Sequence, residues 1–312
     1  METLCPNLWP LKNNRRNGDI TVNYLGIDVG GSRIKTGVVD DLGTIVYSDS
    51  MPIPADYPAF QLAIVNCFRS LDTEYHLAGV GISSCGGINP HTGDVTPCIA
   101  PSLQYLVGEN YYELRKLLPV PIQVEKDGNC AALGEKWTGN AIDLDSFCAL
   151  VLGTGLGGGV IYKNQVYEGA HFLAGDVGYA FPSYDAESGF SGLCAPVQVE
   201  ERYFSLTGEK INIAQMYQRR NKDAAADSCC TGFFSHLANT IITMQYVLDP
   251  KAFLLGGGIT AWEELIPLLN AEIQRQVQLR GLPALPVVKR CRHRNGANLI
   301  GAVYNLKTKE NI

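Results

Sequence analysis

The sequence carries three aspartates set beside glycine clusters. Asp127 closes a strand-like run, Pro121–Glu125, and is followed by Gly128-Asn129-Cys130-Ala131-Ala132. Ligands of open α/β sheets bind outside the carboxyl ends of the strands, so Asp127 stands where chemistry is done. Asp is also among the best helix N-caps, and one residue could serve both purposes. Asp28 ends the apolar run Val22–Ile27 and is followed by Gly30-Gly31-Ser32, with Lys35 on a returning β-like run that ends near Asp40. A carboxylate at that point could hold hydrated Mg²⁺, which takes carboxylate, water and phosphate oxygens. The glycines let backbone approach a ligand, and successive N–H groups in such a turn make an anion-binding concavity. A plain hairpin reads the same way.

A second strand, Phe147–Leu152, enters Gly153-Thr154-Gly155-Leu156-Gly157-Gly158-Gly159 and leaves through Val160-Ile161-Tyr162. Gly153, Gly155 and Gly158 match the dinucleotide fingerprint, and Asp176 lies near the spacing of its ribose-binding acid. That fingerprint needs a helix after the glycines, whereas this chain continues as a strand. The first turn is no Walker A loop either, for the same lack of a helix and the wrong spacing. Both are therefore strand–glycine–strand phosphate clamps. A third cluster, Gly256-Gly257-Gly258, follows the strand Ala252–Leu255, and Thr260-x-x-Glu263 reads as a capping box for the next helix, which Pro267 should kink or delay.

The elements that position these groups follow from periodicity. A third strand is expected over Gly43–Ser48, a helix over Pro58–Leu71, a strand over Gly79–Ser83 ending in Cys85-Gly86-Gly87, and a helix over Tyr111–Leu118. Leu237, Ile241, Met244 and Leu248 give another helix, and Ala297–Leu306 a last one. Hairpin-linked strands followed by alternating helices and strands give a mixed sheet with helices on its faces. The 312 residues suffice for two domains. A net charge of −6 argues against a broad nucleic-acid surface, and no apolar run reaches membrane-span length. Met1–Asp19 lacks the order of charges and apolar residues of a secretory signal and reads as a loose extension. The ten cysteines show no framework spacing, so reduced thiols and a cytoplasmic setting are expected. Cys291-x-His293 has no second ligand pair nearby to make a metal site.

Two glycine clamps, an aspartate between them and a third glycine loop resemble the sugar kinase/actin/Hsp70 ATPase architecture. The finer resemblance is to the ROK family, across about residues 22–306. Asp28-Val29-Gly30-Gly31-Ser32-Arg33-Ile34-Lys35 is similar to its D-x-G-G-[TS]-x-x-K, Leu152–Val160 to its second phosphate motif, and Glu125–Glu135 to E-N-D-x-N-x-A-A-x-x-E around the catalytic Asp. Phe253–Gly258 is similar to its adenosine-side loop. The resemblance implies a two-domain actin-like α/β fold with an interdomain cleft. Its parts would be an extension at 1–20, a small domain at 21–128 plus 297–312, and a large domain at 129–296. It also implies a homodimer that uses ATP and Mg²⁺.

Departures from the family pattern define the subclass. Gly175-Asp176-Val177-Gly178-Tyr179 stands where the family has G-E-x-G-H. If Glu201-Arg202-Tyr203-Phe204-Ser205 matches E-x-Y-x-S, Cys194 falls on one zinc cysteine, while Gly192 and Val199 replace the others. One ligand of four cannot hold a structural zinc, so none is expected. Lys126 replaces the Asn before the catalytic Asp; pointing inward it would lower the Asp127 pKa, although strand alternation lets it point away. The resemblance then assigns Asp127 as general base and gives the phosphates to Gly30, Gly31, Ser32, Lys35, Gly153, Thr154, Gly155 and Gly157. Asp28 would place Mg²⁺ through water, and Gly256, Gly257 and Gly258 would border the adenosine. Sugar recognition falls to Gly86, Gly87, Lys126, Asp176, Tyr179 and Glu201. The implied reaction is phosphorylation of a sugar hydroxyl, C6 of a hexose or of a β-glucoside. Glucokinase and N-acylmannosamine kinase are rivals, as is a non-catalytic sugar-binding protein. The family's repressors carry a helix-turn-helix domain ahead of the first clamp, and the roughly 20 residues here are too few for one.

Overall fold

The computed structural model describes residues 14–16, 19–97, 100–294 and 296–312. The chain begins with β1 (Asn14–Arg16) paired antiparallel to β2 (Asp19–Thr21). That part of the expected loose extension is therefore a small hairpin; the rest of residues 1–20 lies outside the described residues.

Two five-stranded sheets follow one plan. In the first, β3 (Asn23–Val29), β4 (Ile34–Asp40) and β5 (Ile45–Met51) form antiparallel hairpins. Two strands then add in parallel beside β3: β6 (Leu77–Ser84) and β7 (Ile122–Lys126). Every residue of β3 is buried, as a central strand covered on both faces should be, whereas edge strand β5 is half exposed. The crossover to β6 is α1 (Tyr57–Tyr75), started by the Asp56 side chain, which accepts the Ala59 N–H at 2.8 Å, and ended at His76 in the left-handed region. From β7 the chain passes into α2 (Asp127–Thr138).

The second sheet repeats the plan with β8 (Phe147–Leu152), β9 (Leu156–Tyr162) and β10 (Gln165–Val166). A helical layer follows: α3 (Phe190–Cys194), α4 (Pro196–Thr207), α5 (Ile213–Arg219) and the 25-residue α6 (Ala224–Leu248). Then β11 (Phe253–Gly256) adds parallel to β8, α7 (Leu265–Arg280) crosses over, and β12 (Val288–Arg290) closes the sheet. The last helix, α8 (Ala297–Glu310), packs on β3, β6 and β7 of the first sheet, and α2 packs on β8 and β9 of the second. The two helices meet at backbone distance, since a Cβ on Gly301 would stand 1.7 Å from the Cys130 carbonyl oxygen.

Two local expectations are corrected. Tyr111–Lys116 is a 3₁₀ helix, begun by the Asn110 side chain on the Tyr112 N–H, because apolar spacing in so short a segment does not separate a tight turn from an α-helix. Thr260 forms no capping box: its hydroxyl turns back to the Gly257 carbonyl at 2.8 Å. Gly258–Ala261 is a 3₁₀ turn, and α7 starts at Leu265, which puts Pro267 in the first turn, where its missing N–H costs no bond.

Candidate functional site

Strand β7 ends at Lys126 and helix α2 begins at Asp127, so the end of a buried strand and the head of a buried helix present consecutive side chains. Asp127 is partly buried, and its Oδ1 accepts the Gly128 N–H at 2.7 Å. It sits in the first turn of α2 and makes no N-cap. Burial, and then the neighbouring Asp28 carboxylate, push its pKa up to about 6; the Gly128 N–H and Lys126 oppose them more weakly. The expected lowering by Lys126 is thus present but outweighed by desolvation.

Lys126 does point inward. It is 2% exposed, and its Nζ lies 2.9 Å from both Asp176 Oδ1 and the Ala174 carbonyl oxygen. A buried ammonium needs a partner, and Asp176 supplies it from the loop after β10. Burial raises the Asp176 pKa, and Lys126 works against that rise.

Asp28 stands at the end of β3 in register with Lys35 on one side and Ser83 on the other. Its Oδ1 accepts from Ser83 Oγ and Asn298 Nδ2, both at 2.9 Å, and Lys35 Nζ is 3.6 Å from Oδ2. The hairpin tip beyond it is closed by the Gly30 N–H on the Arg33 carbonyl at 3.2 Å, with Gly31 and Ser32 exposed.

A cavity of about 260 Å³ gathers residues from both sheets: Lys126, Asp127, Gly153–Gly157, Asp176 and Tyr179, with Gly86 and Asn298 at its sides. The Gly153 N–H closes its turn on the Gly155 carbonyl at 2.9 Å, and Ser191 Oγ accepts the Leu156 N–H at 2.9 Å. Thr154 and Gly153 are exposed at the turn's tip. Gly128 lies so near the second clamp that a Cβ on it would meet the Gly158 carbonyl oxygen at 2.2 Å, so Asp127 is held directly against that clamp. Gly256, Gly257 and Gly258 stand beside the clamp because β11 runs parallel to β8, with Gly257 turning the chain at φ +96°. Asp28, Gly30, Gly31, Ser32 and Lys35 do not line the cavity; Asp28 is joined to its wall by the bond from Asn298.

Two expected sugar residues are elsewhere. Gly87 is buried, its carbonyl accepting from both Thr96 N–H and Oγ1. Glu201 is exposed on α4, whose buried face is set by Val199 and Tyr203, and it lines a separate concavity of about 640 Å³ with Phe204 and Lys210. That concavity is larger, but it does not contain the aspartates and glycine clamps. Asn298, Ser83 and Ser191 join the site through long-range contacts that no local sequence pattern marks. Cys194 lies in the core, its thiol pushed up to about 12 by burial and donating to the Phe190 carbonyl. Among the described residues, no three His, Cys, Asp or Glu side chains form a metal-binding group, and no helix is long and apolar enough to cross a membrane.

The sequence profile described as the ROK family matches residues 24–309. A β-glucoside kinase of Listeria monocytogenes is 30% identical over 294 residues, covering 91% of this chain and 97% of that one. A ROK family protein from Streptococcus pneumoniae, solved with sucrose, superposes with a TM-score of 0.84 at 24% identity, over 93% of this chain and 99% of that one. A ROK glucokinase from Streptomyces griseus, solved with glucose and AMPPNP, gives 0.75 at 22% identity, over 92% and 99%.

Proposed function

The chain belongs to the ROK family, and on that premise we propose that it is an ATP-dependent sugar kinase, a phosphotransferase with an alcohol group as acceptor. The observation that carries the reading is Asp127, with a pKa of about 6, held against the Gly153–Gly157 turn in one cavity. A carboxylate of that pKa is ionised at neutral pH and remains basic enough to take the proton of an attacking hydroxyl, a role worth roughly 10²–10⁴ in rate. Backbone N–H groups of the Gly153–Gly155 turn and of Gly30–Ser32 cradle the phosphates, with Thr154 as a donor to the γ-phosphate, while Gly256–Gly258 border the adenosine. Asp28 and Asp127 lie close enough for one to shift the other, and such a carboxylate pair fits a hydrated divalent cation. Asp28 would hold Mg²⁺ through water, and the ion would neutralise charge on the phosphates.

The acceptor is read by Lys126, Asp176, Tyr179 and Gly86. Its hydroxyl is C6 of a hexose or of a β-glucoside, and the name of the Listeria relative, a β-glucoside kinase, supports the second acceptor. The small domain would comprise 21–128 plus 297–312 and the large one 129–296, closing over the sugar and expelling water that would otherwise hydrolyse ATP. A homodimer in the cytoplasm completes the reading. The test is ADP release with ATP and Mg²⁺ over glucose, fructose, N-acetylglucosamine, N-acetylmannosamine, cellobiose and gentiobiose. Turnover on one of these, abolished in Asp127→Asn, is expected. Absence of sugar-dependent ADP from folded, ATP-binding protein would overturn the reading.

A further inference from the structure

This inference rests on the kinase reading and deepens it at the second clamp. Ser191 lies in α3, well beyond the glycine turn in sequence, yet its Oγ accepts the Leu156 N–H at 2.9 Å. Leu156 is the first residue of β9, where the turn ends. The hydroxyl also stands beside the residue before it, since a Cβ on Gly155 would meet Ser191 Oγ at 3.4 Å. From the other side, a Cβ on Gly178 would lie 2.2 Å from the same oxygen, so glycine there leaves the hydroxyl the space it fills. Ser191 lines the same cavity as Asp127 and the Gly153–Gly157 turn.

A hydroxyl has one hydrogen to give and two lone pairs to offer. At Ser191 a lone pair is taken by Leu156, and among the described residues no group accepts the hydrogen. A serine inside a helix usually gives that hydrogen to the carbonyl one turn back. Here α3 begins only one residue earlier, at Phe190, so no preceding helical turn offers one. A partner that accepts without donating would satisfy the hydroxyl. Phosphate oxygens are of that kind, and their charge makes such a bond short and roughly twice as strong as a neutral one. A sugar hydroxyl brings a hydrogen of its own and forms only the weaker bond. The rest of the turn offers the same chemistry, because its N–H groups are donors too.

We propose that Ser191 is a ligand of the nucleotide's terminal phosphate: with its oxygen held by Leu156, its hydroxyl donates a hydrogen bond to a γ-phosphate oxygen. The proton stays on Ser191 throughout, and no covalent bond is made or broken there. The test measures binding of Mg²⁺–AMPPNP and Mg²⁺–ADP by calorimetry in the full-length chain and its Ser191→Ala variant. It also measures kcat and KM for the fastest sugar of the acceptor panel. AMPPNP carries the terminal phosphate and ADP lacks it. Ser191→Ala is expected to weaken AMPPNP about tenfold more than ADP, the scale of one hydrogen bond to a charged group, and to lower kcat at least as much. KM for the acceptor should stay within about twofold, because the lost bond is not made to the sugar. Equal weakening of both nucleotides would mean that Ser191 only fixes the turn and would overturn the assignment. So would an unchanged AMPPNP-to-ADP ratio, or a raised acceptor KM at unchanged kcat, which would move the hydroxyl to the sugar. Each of these leaves the kinase standing, whereas no turnover by the parent on any acceptor would overturn the kinase itself.

Discussion

Replacing Asp127 by Asn should produce two effects of opposite benefit from one cause. Asp127 titrates at about 6 in the fold, against roughly 3.9 in an unfolded chain. A gap of about two units corresponds to roughly 3 kcal/mol, and cavity water on the outer edge of the side chain trims this to about 2 kcal/mol. The folded state binds the proton more tightly, so stability from this group is greatest below the unfolded pKa. It declines as pH rises between about 4 and 6, and is flat above. At pH 7.5 the ionised carboxylate therefore destabilises the fold, and a neutral amide of the same shape does not. The amide oxygen can still accept the Gly128 N–H. Asp127→Asn is expected to be about 2 kcal/mol more stable than the parent at pH 7.5, with the gain falling to about a third at pH 4.5. It should lose about 10²–10⁴ in kcat, because an amide cannot accept the proton. The parent's kcat/KM should fall below about pH 6 as the base is protonated. Urea unfolding at both pH values and ADP release by a coupled assay give these numbers. A stability change that is negative at pH 7.5, or equal at both pH values, would refute the burial argument. Activity above about a tenth of the parent's would refute the base assignment.

Other perturbations test the surroundings. Lys126→Met removes a cation that opposes the rise of the Asp127 pKa, so the acid limb of kcat/KM should move to higher pH. It also leaves Asp176 uncompensated, which should cost about 3–5 kcal/mol in urea unfolding and be largely recovered in Lys126→Met/Asp176→Asn. Asp28→Asn should raise the Mg²⁺ concentration needed for half-maximal turnover several-fold, read from rate against free Mg²⁺ at saturating ATP. Gly301→Ala would drive a methyl into the Cys130 carbonyl oxygen and should destabilise by more than about 3 kcal/mol, or keep the protein from accumulating in soluble form.

The parts of the site legible in sequence are those made by contiguous backbone. Asp28 with its hairpin, and Asp127 at the strand–helix junction, are single local patterns, and the chain folds them as such. Asn298 reaches Asp28 across 270 positions of sequence and Ser191 joins the second clamp across 35, so no spacing could announce them. Glu201 lies apart from that cavity for a different reason. A motif fixes order but not helical phase, and with Val199 and Tyr203 facing the core, a residue midway between them faces out. The two departures Lys126 and Asp176 show the deeper limit. Taken position by position, each weakens the match to the family pattern. In the fold, one pairs with the other at 2.9 Å, so the two departures form a single buried ion pair that ties the first sheet to the Tyr179 loop. Removing the lysine alone would leave Asp176 without its cation, and removing the aspartate alone would leave a buried ammonium unpaired, which is why the two are intelligible only together.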